Sequence, residues 1–188
     1  MRPQKVDDGE MLERLFAVLR SKGYEGASLN DLSKASGLQK ASLYHRFPGG
    51  KKEIGEAVLA YSEQWVRENI HNKLKDSSIT PEKRVVAAIA KIEELYDLGK
   101  NTCILRAMSM DAGIQLFLAP IKRMMQEWID TLSVLGNDMG MDRNTAHKKA
   151  IQTLTLIEGA LVVSKGIGTT EAFEMAMQSI KDMYMVDQ

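Results

Sequence analysis

Apolar side chains recur every three or four residues along nearly all of this chain, the spacing that gathers them on one face of an α-helix. Met11, Leu12, Leu15, Phe16 and Leu19 open the pattern, behind Asp7 or Asp8, either of which can cap a helix start. Gly23, with Lys22 before it, ends that helix. Ser28 caps a second, short helix with Leu29, Leu32 and Ala35 on its inner stripe, and Asp31 favours its positive end. Gly37 stops it, because a residue without a Cβ turns the chain sharply. Gln39 to Phe47 reads as a third short helix, broken by Pro48-Gly49-Gly50. From Lys51 to about Leu74 the pattern is that of a long amphipathic helix, with Ile54, Val58, Tyr61, Trp65 and Ile70 spaced for burial.

Thr80-Pro81 has the form of a cap followed by the first helical residue, and that helix runs to about Leu98 before Gly99. Residues 102–112 make a short helix, 114–135 a long one with Pro120 near its start, and 143–165 another long one stopped by Gly166 and Gly168. Thr170 caps a final helix to about Val186. No stretch alternates with the period of a strand. The fold class is all-α, with about nine helices.

Composition sharpens this picture in three ways. Proline is scarce (4) and methionine abundant (12) in a chain of 188 residues, which favours helix. The one cysteine, Cys103, cannot pair within the chain, and no Cys/His cluster suits a metal. Met1–Gly9 lacks the apolar core of a signal peptide, and no run approaches the roughly 18 uninterrupted apolar residues of a membrane span. The expectation is a cytoplasmic chain with no membrane partner. The formal net charge is zero, yet residues 1–52 carry 10 Lys and Arg against 6 Asp and Glu, while the rest carries 15 against 19. A basic end on an acidic body suits a chain whose N-terminal part meets a polyanion.

Enzyme signatures are missing: there is no GxGxxG, P-loop or GxSxG segment. His45, His71 and His147 lie far apart in sequence, on faces expected at the surface. Neither an enzyme nor a cofactor is expected.

Residues 28–47, SLNDLSKASGLQKASLYHRF, carry the functional signal. Two short helices joined by a glycine turn, the second rich in small and polar residues, describe a helix-turn-helix. The first helix braces the second, whose N-terminal part enters the major groove. Ala41 and Ser42 are small enough to let the backbone approach the bases. Gln39, Lys40 and Ser42 supply polar groups for base edges or phosphates. Leu43 and Phe47, four residues apart, face back into a three-helix core.

Over residues 11–59 the sequence resembles the TetR/AcrR family of repressors. The likeness rests on the helix with Phe16, the Gly23-Tyr24 corner, the Ser28…Leu32…Ala35-Ser36-Gly37 helix and turn, and Leu43-Tyr44-His45-Arg46-Phe47 ahead of Pro-Gly-Gly-Lys. The resemblance implies that Lys40, Ala41, Ser42, Tyr44 and His45 face the groove, with Gln39 at the helix start. It implies a phosphate contact for Ser28 and for Lys51, and Arg46 can add another. Ala41 stands where a glycine is usual, and the loop Pro48-Gly49-Gly50 is one residue longer than common, so either Lys51 or Lys52 can be the phosphate contact.

The remainder then divides as an N-terminal DNA-binding domain, 1–52, and a ligand-binding and dimerisation domain, 53–188, joined by the long helix 51–74. Ile151, Leu154, Ile157, Gly159, Ala160, Leu161 and Val163 make one helix apolar on more than one face, and such a helix is either central or covered by a partner. The resemblance implies a homodimer built on the last two helices, with Leu154, Ile157, Gly159, Ala160 and Leu161 at the contact. For a small-molecule effector the candidate pocket residues are Trp65, Tyr96, Cys103, Met108, Phe117, Met124, Trp128 and Glu158, since flexible and large apolar groups suit a pocket, though they equally fill a core. The function this implies is a dimeric regulator of transcription on palindromic double-stranded operator DNA, released by a ligand. The alternatives are a helical scaffold for another protein, or a small-molecule-binding enzyme that does not touch DNA.

Overall fold

The computed structural model describes residues 7–185, and among them there is no strand. The order is α1 (Asp8–Gly26), α2 (Leu29–Ser36), α3 (Lys40–Arg46), α4 (Gly50–Val66), a π-helical turn (Arg67–His71), α5 (Asn72–Leu74), α6 (Pro81–Leu95), α7 (Ile104–Met108), α8 (Ala112–Asp138), α9 (Arg143–Ile167) and α10 (Glu171–Met185). The expected end of the last helix at Val186 lies outside the described residues, as do residues 1–6 of the N-terminal segment.

The chain folds as two compact units. The first takes in the chain through Gln64 together with Ile104–Ile121; the second takes in Trp65–Cys103 and the chain from Lys122 onward. This division differs from the one read at residue 52, and the reason is local packing. Gly55 on α4 is so tightly faced that a Cβ there would stand 2.6 Å from Phe117 Cζ and 3.1 Å from Met108 Cε. The Phe117 ring meets Tyr24 edge-on with centroids 5.0 Å apart, and α7 lies along α1. Residues 104–121 therefore pack into the core of the first unit.

In the first unit, Asp7 caps α1, its Oδ1 accepting from Gly9 N at 2.9 Å and Glu10 N at 3.1 Å. Gly23 adopts φ 72°, ψ 173°, a conformation that a Cβ would strain, and it breaks α1 where the sequence places its stop. Met11, Leu15, Leu19, Leu32, Leu43, Phe47, Ile54, Val58 and Leu59 form the core. At Phe117 the backbone of α8 leaves helical geometry (φ −119°, ψ 15°). Pro120, three residues on, has no N–H for the helical ladder and crowds the preceding turn. Glu25 Oε1 accepts from Ala112 N at 3.2 Å and so caps the start of α8.

In the second unit α9 and α10 form a hairpin, capped by Asp142 at one end and turned by Gly168 at φ 82°. Gly136 of α8 lies against Ala146 of α9, leaving 2.8 Å between a would-be Cβ and the Ala146 Cβ. Arg84 is buried, and its guanidinium donates to Leu74 O at 2.9 Å and Asp138 Oδ2 at 2.7 Å. The long helix expected to run unbroken to Leu74 is instead interrupted by the π turn, which adds a residue to the hydrogen-bonded loop and ends at His71.

His71 is thus buried, at 2% exposure, and corrects the expectation that all three histidines lie at the surface; His45 and His147 are exposed. Its ring meets Trp128 edge-on at 4.9 Å. Burial pushes its pKa down to about 4 from 6.5, against a smaller upward pull from Glu127 and with smaller downward pushes from Lys75 and Arg67. Between those values the unfolded chain takes up a proton that the folded chain refuses, so stability is whole above about pH 6.5 and falls towards about pH 4. Urea unfolding across this range should show a loss of at most roughly 3 kcal/mol from this group, and His71→Phe should flatten that part of the profile. An unchanged slope in the variant would refute the assignment.

Candidate nucleic-acid interface

The interface is built on the corner between α1 and α2. Ser28 and Asp31 cap one another: Asp31 N donates to Ser28 Oγ at 3.1 Å, while Ser28 N donates to Asp31 Oδ2 at 3.0 Å. The other carboxylate oxygen, Asp31 Oδ1, lies 2.8 Å from Lys22 Nζ, at the end of α1. The Lys22 ammonium first, and the Ser28 hydrogen bonds next, hold the Asp31 carboxyl well below the usual carboxylate range. This reciprocal cap satisfies two donors at the helix start that otherwise have no partner.

Gly37 ends α2 in the left-handed region, at φ 71° and ψ 9°. The turn is stitched by Ser33 Oγ donating to Leu38 O at 2.6 Å and by Leu38 N donating to Ser36 Oγ at 3.3 Å. These bonds fix the angle at which α3 departs. Leu43 and Phe47 then hold α3 from beneath, both buried.

Everything else on α3 is turned out. Lys40, Ala41, Ser42, Tyr44, His45 and Arg46 are exposed, as are Ser28 and Gln39. Gln39 occupies the N-cap position without spending its side chain on a cap. Tyr44 is a large ring left 46% exposed, its edge leaning towards Gly50, whose missing Cβ would sit 3.6 Å from Tyr44 Cε1. A short helix that shows small, polar and aromatic groups on one side and is anchored on the other has the form of a groove reader.

Residues 12–58 match the model for bacterial regulatory proteins of the tetR family.

The chain's DNA-binding segment is a TetR-family helix-turn-helix.

The chain matches relatives named as HTH-type transcriptional regulators. Along 155 residues, 80% of this chain and 79% of the relative, it is 26% identical to the uncharacterized HTH-type transcriptional regulator YxaF of Bacillus subtilis (strain 168). Its fold is that of a TetR transcriptional regulator from Legionella pneumophila, with a TM-score of 0.81 at 21% identity, covering 97% of this chain and 98% of that one. It is also similar to a cysteine mutant of the TetR family regulator CifR, solved with 26bp double-strand operator DNA, with a TM-score of 0.77 at 19% identity and full coverage of both chains (100%).

The two lysines that open α4 are not alike. Lys51 lies with its Nζ 4.6 Å from the centre of the Tyr24 ring and donates to Glu25 O at 3.3 Å. Desolvation lowers its pKa, only partly opposed by the Glu25 carboxylate. Lys52 is exposed, with Glu56 3.6 Å away. Arg46 is paired with Asp8, near the start of α1.

The residues expected to line an effector pocket are dispersed. Met108 and Phe117 belong to the first unit and fill its core. In the second unit Tyr96 packs edge-on against Phe173 at 6.0 Å, Trp128 against His71, and Cys103 and Met124 are buried, while Trp65 and Glu158 are half-buried. One groove there, of about 300 Å³, runs between α6 and α10; another, of about 490 Å³, lies beside Lys100, Lys165 and Gly168. None of the eight expected residues lines either. Sequence reasoning missed His71 and Thr131, whose burial no periodicity announces.

The expected dimer residues separate in the same way. Ile157, Ala160 and Leu161 are buried inside the single chain, and Leu154 is half-buried. Gly159 is exposed, with nothing within 4 Å of a would-be Cβ. The uncovered apolar groups on α9 and α10 are Ile151, Val162, Val163, Ile167 and Met175. Two apolar faces on one helix give α9 its overall hydrophobicity, which is high enough, at its length, to cross a bilayer.

Ser28→Ala should destabilise the protein by about 1 kcal/mol, the usual worth of an N-cap, read as a shift in the urea midpoint. It should also weaken DNA binding, because the cap sets the angle of α2 and hence of α3. Unaltered stability and binding would remove Ser28 from the interface.

Proposed function

We propose that this chain is a ligand-released repressor that binds a palindromic operator as a homodimer. The observation that carries the reading is the exposed face of α3, with its anchored underside. Lys40, Ala41, Ser42, Tyr44 and His45 meet base edges and the groove wall; Gln39, Ser28 and Arg46 meet phosphates or the bases beside them. Lys52 supports the phosphate role better than Lys51, since the Lys51 ammonium is already held by Tyr24 and Glu25. Arg46 reaches a phosphate on exchanging it for Asp8.

The homodimer is supported by the uncovered stripe of α9. Ile151, Gly159, Val162, Val163, Gly166 and Ile167 recur at helical spacing and are exposed, and apolar groups in such a row need a partner face. A second copy of the chain supplies an identical one, and two-fold symmetry matches a palindrome. Ile157, Ala160 and Leu161 then brace the stripe from within. The effector acts by a population shift, binding better to a form in which the two copies of α3 are wrongly spaced for successive grooves. Such a protein works in the cytoplasm, and α9 is a helix–helix element in it, not a membrane span.

A gel shift on the DNA flanking the chain's own gene tests the reading, with a symmetric footprint expected. Tyr44→Ala should weaken operator binding by roughly 1–3 kcal/mol, about five- to 150-fold, while the dimer persists. Lys52→Ala should lower the salt slope of binding by about one, and Lys51→Ala should leave it unchanged. Wild-type affinity in Tyr44→Ala would show that α3 is not the reader. Val163→Arg should give monomers by sedimentation and lose the footprint; an intact dimer would move the interface elsewhere.

A further inference from the structure

Two side-chain atoms in the second unit, His71 Nδ1 and Thr131 Oγ1, are buried with no hydrogen-bond partner among the described residues. The residues that carry them are 2% and 1% exposed. Arg84 Nε is also without a partner, but the rest of that guanidinium is held by Leu74 O and Asp138. Thr131 has no second polar side-chain atom through which to recover that loss. A buried polar group left unmade is costly, and a valine or leucine of similar shape avoids the cost altogether. Both groups point to a partner that arrives from outside.

The two are brought together by Trp128. Its ring meets His71 at 4.9 Å with an interplanar angle of 76°. Thr131 follows Trp128 by three residues on α8, so the two side chains share one face of that helix. Met124, one turn before Trp128, is buried on the same face and can yield to an irregular shape. His71 lies in the π turn, and breaks of that kind in the helical ladder concentrate at functional sites.

We propose that His71, Thr131 and Trp128 form the recognition site for an uncharged, largely apolar small molecule that carries a hydroxyl group. The imidazole and the threonine hydroxyl bond that group, and Trp128 and Met124 cover the apolar body. A charged ligand is disfavoured. Of the ions that act on His71, Glu127 and Arg67 already form a two-pronged pair at 3.1 and 3.0 Å and Lys75 is exposed to solvent, and an unpaired charge in a dry site is heavily penalised. The inference rests on the reading of the chain as an effector-responsive regulator, and it names the chemistry of that effector.

The test uses the full chain with ¹⁵N-labelled histidine and three probes of similar shape: phenol, toluene and benzoate. Phenol should move the His71 Nδ1 resonance and raise the melting temperature. Toluene should leave that resonance in place, and benzoate should do neither. Thr131→Val should melt no lower than wild type, since it removes an unbonded hydroxyl, yet bind phenol about five- to tenfold more weakly, the worth of one hydrogen bond. His71→Phe should bind toluene and phenol alike. A purely structural threonine gives the opposite pattern, a lower melting temperature with phenol affinity unchanged, and that result overturns the proposal. So does a His71 resonance that phenol leaves unmoved. Operator binding of the wild-type chain is read separately by gel shift. If it is retained while His71 is silent, only this inference fails; if it is absent, the proposed function fails whatever His71 does.

Discussion

A helix of seven residues has no stability of its own. Nucleation is unfavourable, and helices shorter than about a dozen residues are marginal in water. α3, Lys40–Arg46, exists because Leu43 and Phe47 are buried beneath it. That one constraint orders the first unit. It requires a core wide enough to receive both side chains, which α1, α2 and α4 supply, and a fixed approach angle, which the Gly37 turn and the Ser28–Asp31–Lys22 corner supply. With the underside committed to packing, only the upper side of α3 remains for recognition, and every group on it is exposed. Recognition and folding use the same seven residues on opposite faces.

The second unit answers to a different constraint. α9 is apolar over most of its circumference, and one chain covers only part of it. Ala150, Thr153, Ile157, Ala160, Leu161 and Ser164 face inward, while Ile151, Val162, Val163 and Ile167 remain outside, the last at 70% exposure. Small residues hold the inner side close: Gly136 admits Ala146, and Gly99, at φ 92°, admits Phe173. The outer side has no such neighbour among the described residues.

Sequence alone was most informative where local chemistry decides structure. The Ser28 cap, the Gly23 and Gly37 stops and the four-residue spacing of Leu43 and Phe47 are all short-range signals, and the helix-turn-helix follows from them. It was least informative where tertiary packing decides. Nothing local distinguishes Met108 and Phe117 as N-terminal core from the same residues as pocket lining; their place depends on Gly55, more than fifty positions earlier in Met108's case. Periodicity marks α9 as apolar on several faces but does not rank them, so Ile157, Ala160 and Leu161 read as interface when they are interior. The π turn has no composition signature, and the buried His71 lies in it. Lys51 and Lys52 are adjacent and identical in type, and only the Tyr24 ring separates their roles.

The pairing of Arg46 with Asp8, and of Lys51 with Tyr24 and Glu25, bears on how such a protein would search a genome. Affinity for arbitrary duplex comes chiefly from cations that displace condensed counterions. A cation already occupied by its own chain contributes little to that pull. With two of the basic groups beside α3 engaged at home, the grip on random sequence is loosened, and the molecule spends less of its time stalled on the wrong stretch of chromosome.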